Sequence, residues 1–323
     1  MFQRMAAEGF ACASLVFKKR SVMVAIAKVL LLVMRHRETA IFHAHLDAST
    51  LLLCFLRRII NFKLVVSVYA IPAQWPRWYT AVFRRCISAA DHVIVSDRIA
   101  LQEVHDCGVA PNQISYIPLG TQLLDGPLPE TTEDIRSSLG IDKSMKICLN
   151  IARMVAGKGQ AQLIEAMKYL EHTDVVAIIV GYGPEEKHLK ELAERLKLEG
   201  KVFFAGRRTD LHNFYSSANL FIMPCLDESM GVVIYEALSY SIPVISYDSG
   251  SIREVIQDGI NGYVIEAEAR SLAEKIEQVI VQAPTLDFSS NDQYSARTMA
   301  LRHSQVYTSL ATGRRTDNEP AEK

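Results

Sequence analysis

The residue types best suited to catalysis lie in segment 224–244, PCLDESMGVVIYEALSYSIPV. The pattern predicts a strand that ends at Pro224, a loop that carries Glu228, and a helix that begins near Gly231. The first N–H groups of a helix have no partner in the helix and lie at the positive end of its dipole. We therefore expect the backbone of Met230, Gly231 and Val232 to bind an anion such as a diphosphate.

Glu236 lies about one and a half turns inside the predicted helix, next to apolar neighbours. A carboxylate has two oxygens and can accept hydrogen bonds from both hydroxyls of a ribose. The spacing therefore makes Glu236 a candidate ribose-binding residue. A solvated glutamate on an ordinary surface helix is the alternative interpretation.

A second loop carries two cations. Segment 151–159, IARMVAGKG, follows a short apolar strand and contains Arg153 and Lys158. Arginine offers a planar fork of donors and lysine a point charge, so the pair can neutralise a diphosphate leaving group. Gly157 and Gly159 allow a tight turn into the next helix. An exposed Lys-Gly turn with no ligand is the alternative.

The second half of the chain alternates predicted strands with predicted helices. Its strands, such as 146–152 and 175–181, are almost continuously apolar. This pattern indicates a parallel sheet that is covered by helices on both faces. We expect a doubly wound α/β domain whose ligands bind at the carboxyl ends of its strands. The first half repeats the pattern, with predicted strands at 12–17, 40–43, 63–69 and 92–96.

The sequence predicts two domains and a linker. Residues 1–122 form the first domain, and residues 146–285 form the second. The polar, turn-rich segment 123–145 connects them. We expect 286–311 to form a helix that packs back on the first domain, and 312–323 to be a frayed tail.

Composition narrows the class of protein. The 323 residues are 49% hydrophobic and 22% charged, which excludes an unfolded chain. Lys and Arg total 35 against 36 Asp and Glu, which argues against nucleic-acid binding. Residues 1–125 nevertheless hold 14 basic and 8 acidic residues. This local excess favours an anionic partner, either a membrane surface or a phosphorylated substrate.

Cysteine spacing and hydropathy predict the cellular compartment of the protein. The six cysteines are scattered without a CxxC pair, which is typical of a reducing compartment and predicts no metal site. The apolar run 22–34 is interrupted by Lys28 and is too short to span a bilayer. We expect a cytoplasmic protein that associates peripherally with the inner face of the membrane.

The motifs together resemble a known family. The pairing of ARMVAGKG with ESMGVVIYEA is similar to the retaining glycosyltransferases of glycosyltransferase family 4. Supporting matches are GYGP at 181–184, FAG at 204–206, HAH at 43–45 and YIPLGTQ at 116–122. The resemblance covers nearly the whole chain. It implies the GT-B fold, which consists of two Rossmann-like doubly wound domains.

The resemblance also implies roles for individual residues. The donor would be a nucleotide-diphosphate sugar, with its diphosphate on Arg153 and Lys158 and its ribose on Glu236. Glu228 would be the catalytic carboxylate that binds hydroxyls of the donor sugar. The nucleotide base would lie beside residues of two further loops, namely Gly181, Gly183 and Arg207. No metal and no tightly bound cofactor are implied.

The implied activity is sugar transfer, with retention of configuration, to a glycan or lipid-linked acceptor. The product would be a cell-surface polysaccharide such as lipopolysaccharide, O-antigen or capsule. His45 and Tyr69 are candidates for the acceptor side of the site. The alternative is a weak or inactive relative that binds nucleotide sugar or a protein partner without turnover.

The chain departs from the family pattern at three places, and the first two of them favour that alternative. Gly9 is the only glycine before Gly108, so the chain is expected to begin late and to lack the central strand of its first domain. Tyr69 occupies a position where the family often has histidine. Ser241 stands where glycine is usual.

One helix could contact lipid. The predicted helix 77–89 follows Trp75, contains Trp78, and carries three arginines, Arg77, Arg84 and Arg85. Aromatic and basic side chains together are typical of helices at anionic lipid surfaces. The alternative is a helix with one face in the core and solvated arginines on the other.

Overall fold

The structure consists of two α/β units, each built on one parallel sheet. A computed structural model describes residues 22–69, 71, 75–121, 134–226, 231–249, 252–288 and 293–313. The first unit comprises Met1–Gly120 and Ala296–Lys323, and the second comprises Thr121–Ser295. Their described sheets have four and six strands. The predicted fold class, two parallel-sheet α/β domains, is confirmed.

The first unit alternates helices and strands. In chain order its elements are α1 (Val22–His36), β1 (Ile41–Ala44), α2 (Asp47–Arg57), β2 (Lys63–Val68), α3 (Arg77–Ile87), β3 (His92–Val95), α4 (Arg98–Asp106), a 3-10 turn (Pro111–Gln113) and β4 (Ile114–Tyr116).

The second unit follows, and the last helix returns to the first unit. The elements are α5 (Ile135–Leu139), β5 (Lys146–Ile151), α6 (Gln160–Tyr169), β6 (Val175–Val180), α7 (Glu186–Arg195), β7 (Val202–Gly206), α8 (Leu211–Ser217), β8 (Leu220–Met223), α9 (Val232–Ser239), β9 (Val244–Tyr247), α10 (Ile252–Val255), β10 (Gly262–Ile265), α11 (Ala269–Gln282) and α12 (Ala296–Thr312).

The sheet of the first unit has helices on both faces. Its strands run in the order β1-β2-β3-β4. Successive side chains of a strand point to opposite faces. Leu64 and Val66 of β2 pack with the layer of α1, α2, α3 and α4, whereas Val65 packs with Val306 of α12. The predicted strand 12–17 lies outside the described residues, so the missing central strand stays a prediction.

The sheet of the second unit reverses direction once. Its order is β10-β9-β8-β5-β6-β7. The chain moves outward from β5 to β7, returns to β8 on the other side of β5, and then continues to β10. In doubly wound sheets this reversal opens a crevice at the carboxyl ends of the two neighbouring strands, where ligands bind. The crevice of this unit therefore lies between the loops that follow β5 and β8.

Part of the segment for which we predict a linker is helical. Asp134 caps α5 by accepting hydrogen bonds from the backbone of Arg136 and the hydroxyl of Ser137. Ile135 and Ile141 are buried and anchor residues 134–145 to the second unit. These two apolar side chains are easily overlooked in a segment that is otherwise polar. Residues 122–133 lie outside the described residues.

A charge placed under α12 should unfold the first unit selectively. Val306 is 1% exposed and packs on Val65, Ile94 and Ile117. A buried, unpaired carboxylate is strongly disfavoured, so we expect Val306→Asp to lower the free energy of unfolding by more than about 3 kcal/mol. Both tryptophans of the chain, Trp75 and Trp78, lie in this unit, so urea unfolding followed by tryptophan fluorescence reports on it.

The matched control is Leu301→Asp on the same helix, where the side chain is 43% exposed. This change should alter the unfolding free energy by less than about 0.5 kcal/mol. Equal losses in the two variants would show that α12 does not cover the sheet.

Candidate functional site

Two loops meet at the carboxyl ends of the neighbouring strands β5 and β8. The backbone carbonyl of Gly157, in the first loop, accepts hydrogen bonds from the Cys225 thiol and the Leu226 amide, both at 3.1 Å. The first loop carries Arg153 and Lys158, and the second leads into the segment that contains Glu228. The structure therefore brings the two sequence motifs together at the crevice.

Gly159 allows these loops to touch. It has φ +75°, and a Cβ at this position would lie 1.7 Å from the carbonyl oxygen of Pro224. Only a residue without a side chain can occupy it, because both the left-handed conformation and the contact exclude a Cβ. The sequence predicts glycine here for a tight turn, and the structure adds the close approach of a second backbone.

The third loop, after β6, is held against the first in the same way. A Cβ on Gly181, which has φ +148°, would lie 1.9 Å from the carbonyl oxygen of Ala152. A Cβ on Gly183 would lie 2.1 Å from the carbonyl oxygen of Met154, whose amide donates to Tyr182 at 3.0 Å. Both glycines thus allow the two loops to pack closely. Their place beside the nucleotide base stays a proposal.

An exposed cation–aromatic pair lies beside this third loop. The Arg207 guanidinium lies 5.3 Å from the centre of the Tyr182 ring, and Tyr182 is 51% exposed. The amide of Gly181 donates to the carbonyl of Gly206 at 2.8 Å and so links the loops that follow β6 and β7. Sequence reasoning singled out Arg207 but missed Tyr182, although Tyr182 stands inside the GYGP motif.

Glu236 is not a solvated glutamate. Its Oε1 accepts a hydrogen bond from the Thr121 hydroxyl and its Oε2 accepts one from the Tyr215 hydroxyl, both at 2.8 Å. Tyr215 is buried, so the carboxylate is fixed from the protein side. A carboxylate has about four lone-pair positions, so two remain available to a diol.

The partners of Glu236 form a small aromatic group. The Tyr240 ring stacks on the Tyr215 ring at 5.1 Å, and the Tyr240 hydroxyl is 3.0 Å from Nδ1 of His212. Burial and the adjacent charge of Glu236 raise the pKa of Tyr215 well above its usual value, so it remains a hydrogen-bond donor. No sequence motif indicates this group, because Tyr215 is 21 residues away from Glu236 on a different helix.

The other residues predicted to bind the donor lie in the loop after β5 and at the start of α9. Arg153 is exposed and Lys158 is half-buried, and the buried Gln160 side chain donates to the backbone carbonyl of Arg153 at 3.1 Å. Gly231 is buried at the start of α9, and Val232 is the first residue of that helix. Glu228 and Met230 lie outside the described residues.

The arrangement suits an anion that is flanked by a polyol. Arg153 and Lys158 follow β5, and the amino end of α9 follows β8 at the same edge of the sheet. The cations and the free N–H groups favour negative charge there. In the described part of the chain, no group of three or more His, Cys, Asp or Glu side chains is placed to hold a metal ion.

The candidates for the acceptor side lie on the first unit. His45 and Tyr69 follow the neighbouring strands β1 and β2, and Nδ1 of His45 is 2.9 Å from the Tyr69 hydroxyl. Burial, together with nearby His303, lowers the pKa of His45 to about 4. The imidazole is therefore uncharged at neutral pH.

Comparison with known proteins identifies a matching family model and a matching fold. Residues 131–292 match the family model "Glycosyl transferases group 1". The crystal structure of Anabaena Alr3699/HepE in complex with UDP and glucose superposes with a TM-score of 0.77, covering 92% of this chain and 84% of that one at 22% identity. The fold is that of the GT-B proteins, as predicted.

Two curated relatives illustrate the range of similar proteins. The lipopolysaccharide core biosynthesis glycosyltransferase LpsE of Rhizobium meliloti is 32% identical over 146 residues, which are 45% of this chain and 42% of LpsE. The alpha-monoglucosyldiacylglycerol synthase of Streptococcus pneumoniae is 29% identical over 220 residues, 66% of this chain and 49% of the synthase. The chain thus spans about half or less of the length of these relatives.

The contact between the first two loops can be tested with two glycine substitutions. Gly157→Ala places a side chain in a left-handed conformation but in open space, and we expect a loss of about 1–2 kcal/mol in the unfolding free energy. Gly159→Ala adds the clash with Pro224, so we expect a loss of more than about 3 kcal/mol. Urea unfolding followed by circular dichroism gives both values. Similar losses would argue against the close approach of the loops.

Proposed function

Since the chain belongs to the glycosyl transferases group 1 family, we propose that it transfers a sugar from a nucleotide-diphosphate donor to a hydroxyl of a glycan or lipid-linked acceptor. The observation that carries the proposal is the meeting of the Arg153–Lys158 loop and the β8–α9 connection at the crevice of the second sheet. The structural neighbour with UDP and glucose bound supports a nucleotide sugar as donor.

The donor diphosphate binds at the crevice. Arg153 and Lys158 neutralise its charge, and the amino end of α9 at Gly231 supplies backbone N–H groups. The same groups stabilise the diphosphate as it leaves, because its negative charge grows when the glycosidic bond breaks. No metal ion is needed for this step if the protein's own cations carry the charge.

The nucleoside is held by the neighbouring loops. Glu236, fixed by Thr121 and Tyr215, binds the ribose hydroxyls through its remaining lone pairs. The base lies along Gly181, Gly183 and the exposed Arg207. Glu228 binds hydroxyls of the donor sugar and so orients the anomeric carbon.

Transfer proceeds with retention of configuration. The bond from the anomeric carbon to the diphosphate oxygen breaks, and an acceptor oxygen bonds to the same face of that carbon. The acceptor proton moves to the departing phosphate oxygen. Similarity to LpsE supports an acceptor in lipopolysaccharide or a related surface polysaccharide.

A second proposal is binding of nucleotide sugar, or of a protein partner, without turnover. It rests on Tyr69, which replaces the histidine that the family resemblance leads us to expect near the reacting sugar. Its hydroxyl is paired with His45, so the position carries a neutral hydrogen-bonding group. Release of a nucleoside diphosphate from a nucleotide sugar that the wild-type protein binds distinguishes the two proposals, because turnover requires this release and binding alone does not.

Donor binding is testable with UDP as the probe. We expect Lys158→Ala and Glu236→Gln each to weaken UDP binding roughly 10- to 100-fold, because each removes a charge-assisted interaction with the ligand. Isothermal titration calorimetry measures the affinity. Lys190→Ala is the matched control, since Lys190 pairs with Glu186 on the surface of the same unit. Unchanged affinity in both site variants would contradict the donor site.

We also propose that the first unit binds peripherally to the anionic inner face of a membrane. The helices α1, α2 and α3 share one layer over the sheet, and together they carry six Lys or Arg and one Asp. Their outer surface exposes apolar side chains from all three helices, namely Val24, Leu31, Met34, Phe55, Trp78 and Val82. We call these six side chains the apolar face.

Two side-chain hydrogen bonds hold α2 and α3 next to each other. The Tyr79 hydroxyl donates to Asp47, and the Cys54 thiol donates to the carbonyl of Cys86, so the two helices run side by side in the same direction. Trp78 is 69% exposed, whereas Phe83 is buried in the core. One face of this helix therefore packs in the core, and the exposed opposite face supports the proposal of lipid contact.

Charge decides what kind of partner fits the apolar face. Lys28, Arg35, Arg77, Arg84 and Arg85 are all exposed on the same helices. Exposed apolar patches mark interaction sites, and basic residues beside them favour anionic lipid. Within the described residues, no helix has the length and apolar character that crossing a bilayer requires.

Sedimentation with vesicles tests the membrane proposal. We expect the protein to bind phosphatidylglycerol vesicles at low salt and to dissociate at high salt. Each basic residue near an anionic surface contributes about 1 kcal/mol, so replacing Arg77, Arg84 and Arg85 with Gln should weaken binding roughly 100-fold. Phe55→Ser with Trp78→Ser should also weaken it.

The control is Tyr169→Ser with Val281→Ser, which removes two exposed apolar side chains from the second unit. Equal sedimentation of the control and the Phe55/Trp78 variant, or no sedimentation of the wild type, would argue against this surface.

A further inference from the structure

The chain passes between its two units at two points, and these points pair with each other. It leaves the first unit between Gly120 and Thr121 and returns between Ser295 and Ala296. Thr121 and Ser295 form an isolated parallel β-bridge, and the Thr121 amide donates to the carbonyl of Tyr294 at 3.0 Å. Thr121, Tyr294 and Ser295 all belong to the second unit. We call these three residues the crossover.

Both segments of the crossover are anchored to the helix α9. The Thr121 hydroxyl donates to Oε1 of Glu236 at 2.8 Å. The Tyr294 ring stacks on the ring of Tyr235, with 4.1 Å between the ring centres and 19° between the planes. Both tyrosines are buried, so this contact is part of the core. Two successive residues of one helix therefore hold both passages of the chain.

The Thr121 hydroxyl restricts the orientation of the Glu236 carboxylate. It makes one of the two hydrogen bonds that the described residues give this group, and the buried Tyr215 hydroxyl makes the other, to Oε2 at 2.8 Å. A carboxylate held at one oxygen can still rotate, whereas one held at both oxygens cannot. Thr121 thus determines where the remaining lone pairs of Glu236 point.

The bond from Thr121 links ligand binding at Glu236 to the crossover. When the crossover opens and Thr121 moves away, the carboxylate loses its fixed orientation. A diol binds better to the fixed carboxylate, because less conformational freedom is lost on binding. A ligand that prefers one state shifts the equilibrium towards that state, and the effect is reciprocal. A diol on Glu236 therefore stabilises the closed crossover, and the closed crossover favours the diol.

We propose that Thr121 is a positioning residue for the ribose of the donor, and that it couples occupation of Glu236 to the pairing of the crossover. This rests on the function proposed above. The ligand group that takes part in the coupling is the vicinal diol of the nucleotide, because a diol uses the lone pairs that Thr121 orients. The base and the diphosphate bind to other residues and do not require this bond.

Calorimetric titration with two nucleotides tests the positioning role. Thr121→Val removes the hydroxyl and keeps the shape of the side chain, so we expect it to weaken UDP binding roughly 3- to 10-fold. Thr121→Ser keeps a hydroxyl and should bind UDP as the wild type does. The analogue 2′,3′-dideoxy-UDP lacks the diol, so the wild type and Thr121→Val should bind it equally. Unchanged UDP affinity in Thr121→Val, or equal losses for both nucleotides, would overturn the proposal.

Hydrogen exchange of the Thr121 amide, followed by NMR, reports on the crossover itself, because this amide donates to Tyr294. In the wild type we expect saturating UDP to slow its exchange by the same factor of roughly 3 to 10, since the coupling is reciprocal. Dideoxy-UDP should not slow it. The Asn219 amide, which donates to the carbonyl of Ile147 at the amino edge of the second sheet, gives the baseline for general stabilisation by UDP. Slowing of Thr121 that does not exceed this baseline would overturn the coupling.

Thr173→Val is the matched control variant. The Thr173 hydroxyl donates to the carbonyl of Leu170 at 2.7 Å in the same unit, away from the crossover. This variant should leave both the UDP affinity and the exchange of the Thr121 amide unchanged, and effects equal to those of Thr121→Val would overturn the proposal. UDP binding that Thr121→Val does not alter would contradict this inference alone. No UDP binding by the wild type would contradict the proposed donor site as well.

Discussion

The contact of backbone against backbone at the carboxyl end of the second sheet is the constraint on which the candidate donor site depends. Gly159 lies against Pro224, and Gly181 and Gly183 lie against the loop that follows β5. A Cβ at any of the three would fall about 2 Å from a carbonyl oxygen. Three loops from different strands can therefore form one surface. Arg153 and Lys158 acquire a defined place because the loop that carries them is held from both sides.

Preorganisation continues from the backbone to the side chains. Both oxygens of Glu236 are already bonded, to Thr121 and to Tyr215. Such hydrogen bonds to a charged group contribute about 1.5–3 kcal/mol each and hold the carboxylate in one orientation before any ligand arrives. The buried phenol of Tyr215 remains protonated because burial and the charge of Glu236 both raise its pKa. A ribose would then meet a carboxylate whose entropy of ordering has already been lost on folding.

In the first unit, uncharged polar groups and charged groups lie in different environments. On the sheet edge, burial suppresses the charge of His43 and His45, so directional hydrogen bonds are what this region can offer a ligand. On the helical layer, the cations stay exposed beside apolar side chains such as Trp78 and Phe55. The first environment suits a polyol and the second an anionic surface.

The sequence by itself determined the alternation of strands and helices, the two parallel sheets, the positions of Arg153 and Lys158 after a strand and the position of Glu236 inside a helix, because hydropathy period and loop glycines are local signals. Ser241 stands where the family pattern leads us to expect glycine. Its φ of +56° is the left-handed conformation that glycine adopts most easily, so the fold and not residue preference sets the backbone here. Only the tertiary structure decided that Tyr215 bonds Glu236 and that Tyr307 reaches His43. Those pairs join residues 21 and 264 positions apart, and packing of separate elements, which no local pattern encodes, sets their distances.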